Sequence, residues 1–273
     1  VALIVMKAVL LARGLGSRMK QEGASPVLTA DQAAAAAAGA KGMMPIGTRP
    51  FLDYVLSALA DAGCTQVCFI VAPNHAAIRS YYEGAGRPTR LRVAFAVQPV
   101  ADGTARAVAS ADAFVGDDPF LVLNSDNLYP VDVLRALVTL DEPGLPAFEQ
   151  ASLVCDSGFP ADRVAAFAAI EVDAHHYLTR IVEKPGQAYY DAAGPKALVS
   201  MNVWRFDPRI FAACRDVPLS ARGEYELPEA VGLAVERGIG FRAVPARGAV
   251  LDLSRRSDIA VVSQRLAHLE PQP

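Results

Sequence analysis

Leu10-Leu11-Ala12-Arg13-Gly14-Leu15-Gly16-Ser17-Arg18-Met19 is the segment whose residue types speak most directly of chemistry. An apolar run feeds a Gly-x-Gly-x-Arg turn. Glycines let the backbone approach a ligand closely and leave amide N–H groups free for phosphate oxygens. Arg18 just beyond them adds a bidentate phosphate donor. Met19 stands at the third glycine position of a dinucleotide fingerprint, and no Gly-Lys-Ser/Thr follows, so this is neither a GxGxxG motif nor a Walker loop. Lys41, in Lys41-Gly42-Met43-Met44-Pro45-Ile46, offers a second cation ahead of a helix that starts near Pro50-Phe51-Leu52.

Six further segments carry polar groups at or near element ends. Gln98-Pro99-Val100-Ala101-Asp102-Gly103-Thr104-Ala105 follows a strand and opens a helix. A Gln side chain has both a donor and an acceptor, which suits the edge of a nucleobase, and Gly103 permits backbone contact with it. Asn124-Ser125-Asp126-Asn127 ends an apolar strand, where ligands bind in open α/β sheets. Asp126 there is a natural Mg²⁺ ligand when phosphates supply the other oxygens. Asp252 ends a second short apolar run, Gly248–Leu251, so the two carboxylates could share one metal, or either could cap a helix. Glu183-Lys184-Pro185, Ser200-Met201-Asn202-Val203-Trp204 and Arg222-Gly223-Glu224-Tyr225-Glu226-Leu227-Pro228 are each bland alone.

These groups need a scaffold, and the hydrophobic pattern supplies one. Val5–Ala12, Val67–Ala72, Leu91–Val97 and Phe120–Leu123 read as buried strands. Phe51–Gly63 places Leu52, Val55, Leu56 and Leu59 at helical spacing with Gly63 as its stop, and Thr104–Phe114 reads as an Ala-rich helix. Strand–helix–strand repeats imply a mainly parallel sheet covered on both faces. The second half changes rhythm. Val164–Val172, Tyr177–Val182, Ala197–Phe206, Ile239–Val244 and Gly248–Leu253 read as strands, with helices over Tyr225–Arg237 and Arg255–Leu269. No linker divides the halves, so a single α/β domain with a mixed sheet extension is expected. Ala33–Ala38 reads as a short surface helix, capped by Asp31 and ended by Gly39, without a chemical role.

Composition narrows the classes. The chain has 273 residues, 52% apolar and 20% charged, with a net charge of −3. A large core is affordable and a polyanion partner is disfavoured, so no nucleic acid is expected. No apolar run reaches the length of a bilayer span, so no membrane role is expected. The apolar start, Val1–Lys7, reads as a first strand rather than a leader. Four cysteines without a CxxC pair and four histidines without ligand spacing argue against zinc and for a reducing, cytoplasmic setting.

In order and spacing these segments resemble the sugar-1-phosphate nucleotidylyltransferases, which include the glucose-1-phosphate uridylyl- and thymidylyltransferases. The likeness runs from Lys7 to about Asp258. It implies a Rossmann-like three-layer α/β/α sandwich of the nucleotide-diphospho-sugar transferase type. It divides the one domain into a nucleotide half to about residue 130, a sugar-phosphate half to 253 and a closing helix over 254–270. It implies that Gly14, Gly16 and Arg18 hold the nucleotide phosphates with Lys41 close by, that Gln98 and Gly103 read the base, and that Ala12, Leu15 and Thr104 also bind the nucleotide. Asp126 and Asp252 would hold Mg²⁺, Lys184 the sugar phosphate, and Glu183, Asn202 and Glu224 the sugar.

The implied partners are a nucleoside triphosphate, with UTP or dTTP favoured by Gln98-Pro99-x-x-Asp102-Gly103, and a sugar-1-phosphate. The implied chemistry is a Mg-assisted in-line attack on the α-phosphorus, with Arg18, Lys41, Asp126 and Lys184 as the catalytic set. A phosphate monoester is mostly dianionic at neutral pH, so the attack needs no general base and no catalytic His or Cys. Arg13, Ser125, Phe167-Ala168 and the long stretch between Arg18 and Lys41 depart from the family pattern. They keep open a non-catalytic nucleotide-sugar-binding regulator, or a transferase using another nucleotide or phosphorylated alcohol. A dinucleotide-dependent oxidoreductase is disfavoured by the missing third glycine. Self-association is left open.

Overall fold

The computed structural model describes residues 6–14, 16–20 and 28–273. Leu15, the first five residues and residues 21–27 of the Arg18–Lys41 stretch lie outside the described residues. Fourteen strands follow in chain order among the described residues: β1 (Met6–Leu11), β2 (Pro45–Ile46), β3 (Arg49–Pro50), β4 (Cys64–Val71), β5 (Arg92–Val97), β6 (Phe120–Asn124) and β7 (Asn127–Leu128) in the first half. The second half holds β8 (Gly144–Glu149), β9 (Ala168–Val172), β10 (Leu178–Val182), β11 (Leu198–Ser200), β12 (Val203–Phe206), β13 (Arg242–Ala246) and β14 (Leu251–Asp252).

One large mixed sheet dominates. β5, β4, β1 and β6 lie side by side in parallel. β12 then runs antiparallel to β6, and β11 and β12 both run antiparallel to β8, which carries β13 in parallel. β9 and β10 form a hairpin beside β11. Most strands point the same way, and β10, β11 and β12 oppose them. This mixed, mainly parallel sheet is the one that the resemblance implies.

Period-two alternation builds the core on both faces. Ala8, Leu10, Val67, Phe69, Leu121 and Leu123 pack on one side, and Val9, Cys68, Ile70, Phe120 and Val122 on the other. The helix Phe51–Ala62 buries Leu52, Val55, Leu56 and Leu59 against the first face, and each contributes about 1.5–3 kcal/mol by leaving water. Gly63 ends it in the left-handed region, at φ 104°.

Several element limits differ from the sequence reading, for local reasons. Thr104–Phe114 breaks into helices Thr104–Ala109 and Asp112–Val115. Val164 closes a helical turn, Ala161–Val164, and the strand begins only at Ala168. Ala197–Phe206 is interrupted at Met201-Asn202, where Asn202 takes φ 57°. β8 carries Pro146 inside a central strand, which hides it from a pattern reading. Thr29, not Asp31, caps the polyalanine helix Ala30–Ala38: its hydroxyl accepts from Gln32 N while the Gln32 side chain accepts from Thr29 N. Gly39 ends it at φ 70°. That helix is anchored, since Gln32 Nε2 donates to Pro45 O at 3.0 Å.

Candidate active site

The parallel register brings four chain segments to one rim. Leu11 pairs with both Ile70 and Asn124, and Val71 with Val97, so β1, β4, β5 and β6 end level. Backbone bonds continue the ladder past the strands: Ala12 N donates to Ile70 O, Gln98 N to Val71 O and Ser125 N to Leu11 O. The glycine turn, the Gln98 loop and Asp126 therefore emerge at the same carboxyl edge. β12 runs the other way and pairs Val203 with Leu123, which sets Asn202 at that edge too.

The glycine turn is held from behind. Gly16 adopts φ 61°, and a Cβ there would overlap the backbone of Gly39. The end of the polyalanine helix thus backs the turn, a role that the sequence reading did not give it. Arg18 stands exposed on the one-turn helix Ser17–Lys20, while Met19 is buried and its carbonyl accepts from Arg256 Nε at 2.9 Å. His75, past the end of β4, lies among Ala12, Arg13 and Lys20. Burial, and then those two positive charges, push its imidazole below the ordinary range against a backbone hydrogen bond at Ala12.

The Gln98 loop is tightly fixed. Gln98 is buried, and its Nε2 donates to Asp102 Oδ1 and to Gly103 O, both at 3.0 Å. Both partners are acceptors, so the amide can take only this orientation, and Oε1 is the side left for a ligand. Gly103 needs φ 126°, and a Cβ there would collide with the Tyr225 backbone. Tyr225 N donates to Asp102 O and Ala105 N to Tyr225 O, so the loop is docked on the Gly223–Leu227 segment. Thr104 Oγ1, expected at the nucleotide, accepts from Leu227 N at 2.8 Å and serves this docking.

Two carboxylates meet at the centre. Asp126 Oδ2 pairs with Lys41 Nζ at 2.8 Å. Lys41 opens the short helical turn Lys41–Met43, which delivers it across the rim. Asp252 lies on β14 opposite Asn127, and Leu253 N donates to Asp126 O. Burial, and then the Asp126 charge, push the Asp252 carboxyl up, against the pull of Arg163. Arg163 Nη2 sits 2.8 Å from Asp252 Oδ2, and the same guanidinium binds Asp258 through Nη1 at 2.7 Å. The Ser254 hydroxyl donates to Asp252 Oδ1. Two neighbouring carboxylates, one of them disfavoured as an anion by burial and by the other's charge, fit a hard cation. Among the described residues no third acidic, His or Cys group joins them, so bound phosphate oxygens would have to complete such a cation's shell.

The other side of the cleft is charged and strained. Lys184 is exposed at φ 45°, and Asn202 takes φ 57°, a conformation that L side chains rarely adopt. Tyr129, fully buried, donates to Met201 O at 2.6 Å and ties the Asn202 bend to the Asp126 turn. Glu183 is pushed up by burial and then by Glu226, while Arg222 and Lys184 pull it back. Glu226 is buried in an ion pair with Arg222, which draws its carboxyl down. Glu224, expected at the sugar, is exposed and takes part through its carbonyl, which accepts from Ser220 N.

The structure therefore joins Lys41 to Asp126, with Asp252 beside that carboxylate, sets Ala12, Gln98 and Asn202 at one rim, and sets Glu183 beside Lys184, Arg222 and Glu226. Arg18 and Gly14 stand exposed on the first turn. Sequence reasoning missed His75, Tyr129, Arg163, Arg222, Ser254 and Glu226, and noted Arg13 only as a departure from the family pattern. Of those missed, only Arg222 and Glu226 carried a local signal, their four-residue spacing on either side of Glu224.

A model of the nucleotidyl transferase family matches residues 7–267. The UTP–glucose-1-phosphate uridylyltransferase AglF of Haloferax volcanii is 27% identical over 261 residues, 96% of each chain. A glucose-1-phosphate thymidylyltransferase of Streptomyces antibioticus is 27% identical over 268 residues, 98% of this chain and 68% of its own. The low-salt glycan biosynthesis nucleotidyltransferase Agl11 of Haloferax volcanii is longer: the chain spans 65% of its length, at 26% identity. Among solved structures, a UDP-glucose pyrophosphorylase complexed with UDP-glucose superposes with a TM-score of 0.76 at 17% identity, covering 98% of this chain and 100% of that one. The UTP-bound enzyme of Acinetobacter baumannii gives 0.73 at 19% identity, covering 98% and 96%. No helix among the described residues is long and apolar enough to cross a membrane. The chain belongs to the nucleotidyl transferase family.

Proposed function

We propose that this chain joins a nucleoside triphosphate, with UTP or dTTP favoured, to a sugar-1-phosphate and releases pyrophosphate. The observation that carries this reading is the meeting of Lys41, Asp126 and Asp252 at the rim that also bears the glycine turn and Gln98. Two phosphate anions repel each other, and such a site brings cations to their meeting point.

The nucleobase preference follows from Gln98. With its amide nitrogen committed to Asp102 and Gly103, Gln98 offers the base an acceptor. Uracil and thymine present N3–H to it. Cytosine and adenine present a bare ring nitrogen, which leaves two acceptors opposed at a cost of about 1–3 kcal/mol. The exposed Gly14 and Arg18 suit the triphosphate, and Lys184 the phosphate of the sugar. Glu183 and Asn202 suit sugar hydroxyls, with Glu226 and Arg222 shaping the wall behind Glu183.

Asp126 and Asp252 are the residues to hold Mg²⁺, which when bound supplies positive charge to the nucleotide phosphates. Lys41 orients Asp126, and Arg163 orients Asp252. The sugar phosphate arrives already ionised, so the protein's task is to align its oxygen with the α-phosphorus and relieve repulsion. Pyrophosphate release over a panel of nucleoside triphosphates and sugar-1-phosphates, with Mg²⁺, tests the reading. Turnover with UTP or dTTP, and at least a tenfold weaker response to CTP and ATP, is expected. Nucleotide binding without turnover for any pair would refute it.

A further inference from the structure

We propose that Arg13 is a positioning residue for nucleobase recognition: its guanidinium clamps the Gln98-Pro99 segment to the glycine turn. The proposal rests on the reading of Gln98 as the group that meets the base.

Arg13 leaves the end of β1, and its Nε donates to Gln98 O at 2.9 Å. Nη2 of the same guanidinium donates to Pro99 O at 3.3 Å. Gln98 follows β5, and β4 lies between β1 and β5 in the sheet. The side chain therefore bridges over the end of a whole strand. It reaches two consecutive carbonyls, and a planar fork with two engaged donors fixes their direction as well as their distance.

The consequence falls on Gln98. Its backbone N is held by Val71 O, its backbone O by Arg13, and its Nε2 by Asp102 and Gly103. Of these anchors only Arg13 comes from the phosphate-binding turn. It is the link that sets the base-facing acceptor at a fixed distance from the groups facing the triphosphate. Pro99 and Val100 are otherwise exposed, with Val100 64% accessible, and among the described residues no other hydrogen bond holds them. Removing the clamp leaves the acceptor present but free to shift. Discrimination between bases suffers first, since it depends on the position of one oxygen.

Arg13→Ala and Arg13→Lys, compared with the unaltered chain, test this. Arg13→Ala is expected to raise KM for UTP or dTTP about tenfold and to reduce their preference over CTP about fivefold, with kcat within about twofold. Arg13→Lys, which can reach one carbonyl, restores part of the loss. In the nucleotide-free protein, amide exchange at Gln98 and Tyr225 speeds up in Arg13→Ala, while the melting temperature stays within about 2 °C. An unaltered chain that prefers CTP or ATP overturns the reading of Gln98 and this proposal with it. An unaltered chain with the expected preference, and an Arg13→Ala variant with unchanged KM, discrimination and exchange, overturns the clamp alone. So does a fall in kcat and melting temperature without a change in base preference.

Discussion

The two walls of the cleft are built differently. The nucleotide wall hangs from parallel strands whose ends are level, and its polar side chains are paired with the protein's own backbone: Arg13 with Gln98 and Pro99, Gln98 with Gly103. The sugar wall comes from antiparallel strands, and its groups are charges set against one another on backbone that L residues rarely adopt, at Lys184 and Asn202. The first wall is rigid by hydrogen bonding. The second is held by strain and opposed charge, which stays costly until an anion and hydroxyls arrive. On the proposed function the base would meet a fixed group, while the sugar would meet a site that draws its energy from ligand contacts.

The largest effect is expected where the walls meet. Asp126→Ala removes the partner of Lys41 and one of the two central carboxylates, and should lower pyrophosphate release about 1000-fold with little loss of melting temperature. Next comes the nucleotide wall. Gly103→Ala forces a Cβ into the Tyr225 backbone at φ 126°, and should cost about 2–4 kcal/mol in chemical denaturation. A cost near zero would mean that the loop is not docked on Tyr225.

The sugar wall should respond in the opposite sense. Lys184→Gly removes a cation and relieves a left-handed residue, so stability should rise by up to about 1 kcal/mol while KM for the sugar-1-phosphate rises at least tenfold. A loss of stability would contradict the strain. The smallest effect tests the core beneath both walls. Cys155 is exposed, whereas Cys64, Cys68 and Cys214 are buried with thiols pushed up to about 12. At pH 8 a thiol reagent should label one cysteine per folded chain and four after unfolding.

What was legible in the sequence was local. The Gly14-x-Gly16-x-Arg18 turn, the strand ends at Gln98 and Asp126, and the helix ended by Gly63 each declare themselves within about ten residues. β8 did not, because Pro146 reads as a breaker in a strand. The bend at Met201-Asn202 did not either: Asn tolerates a positive φ better than most residues, but this lone signal sits inside an otherwise strand-like run. The partners of the site groups were hidden for a different reason. Arg163 reaches Asp252 and Asp258 from a distant turn, and Arg13 reaches across β4. Such pairings are properties of the assembled sheet and have no short-range signature. The polyalanine helix looked idle for the same reason, until Gly39 was found behind Gly16.

The central claim is that one cleft brings the sugar phosphate directly onto the α-phosphorus, with no covalent relay through the protein. Turnover of a single diastereomer of an α-thio nucleoside triphosphate, with the configuration of the nucleotide-sugar product assigned by phosphorus NMR, tests it most directly. Inversion at phosphorus is the expected result. Retention would require a nucleotidylated side chain and would contradict the account.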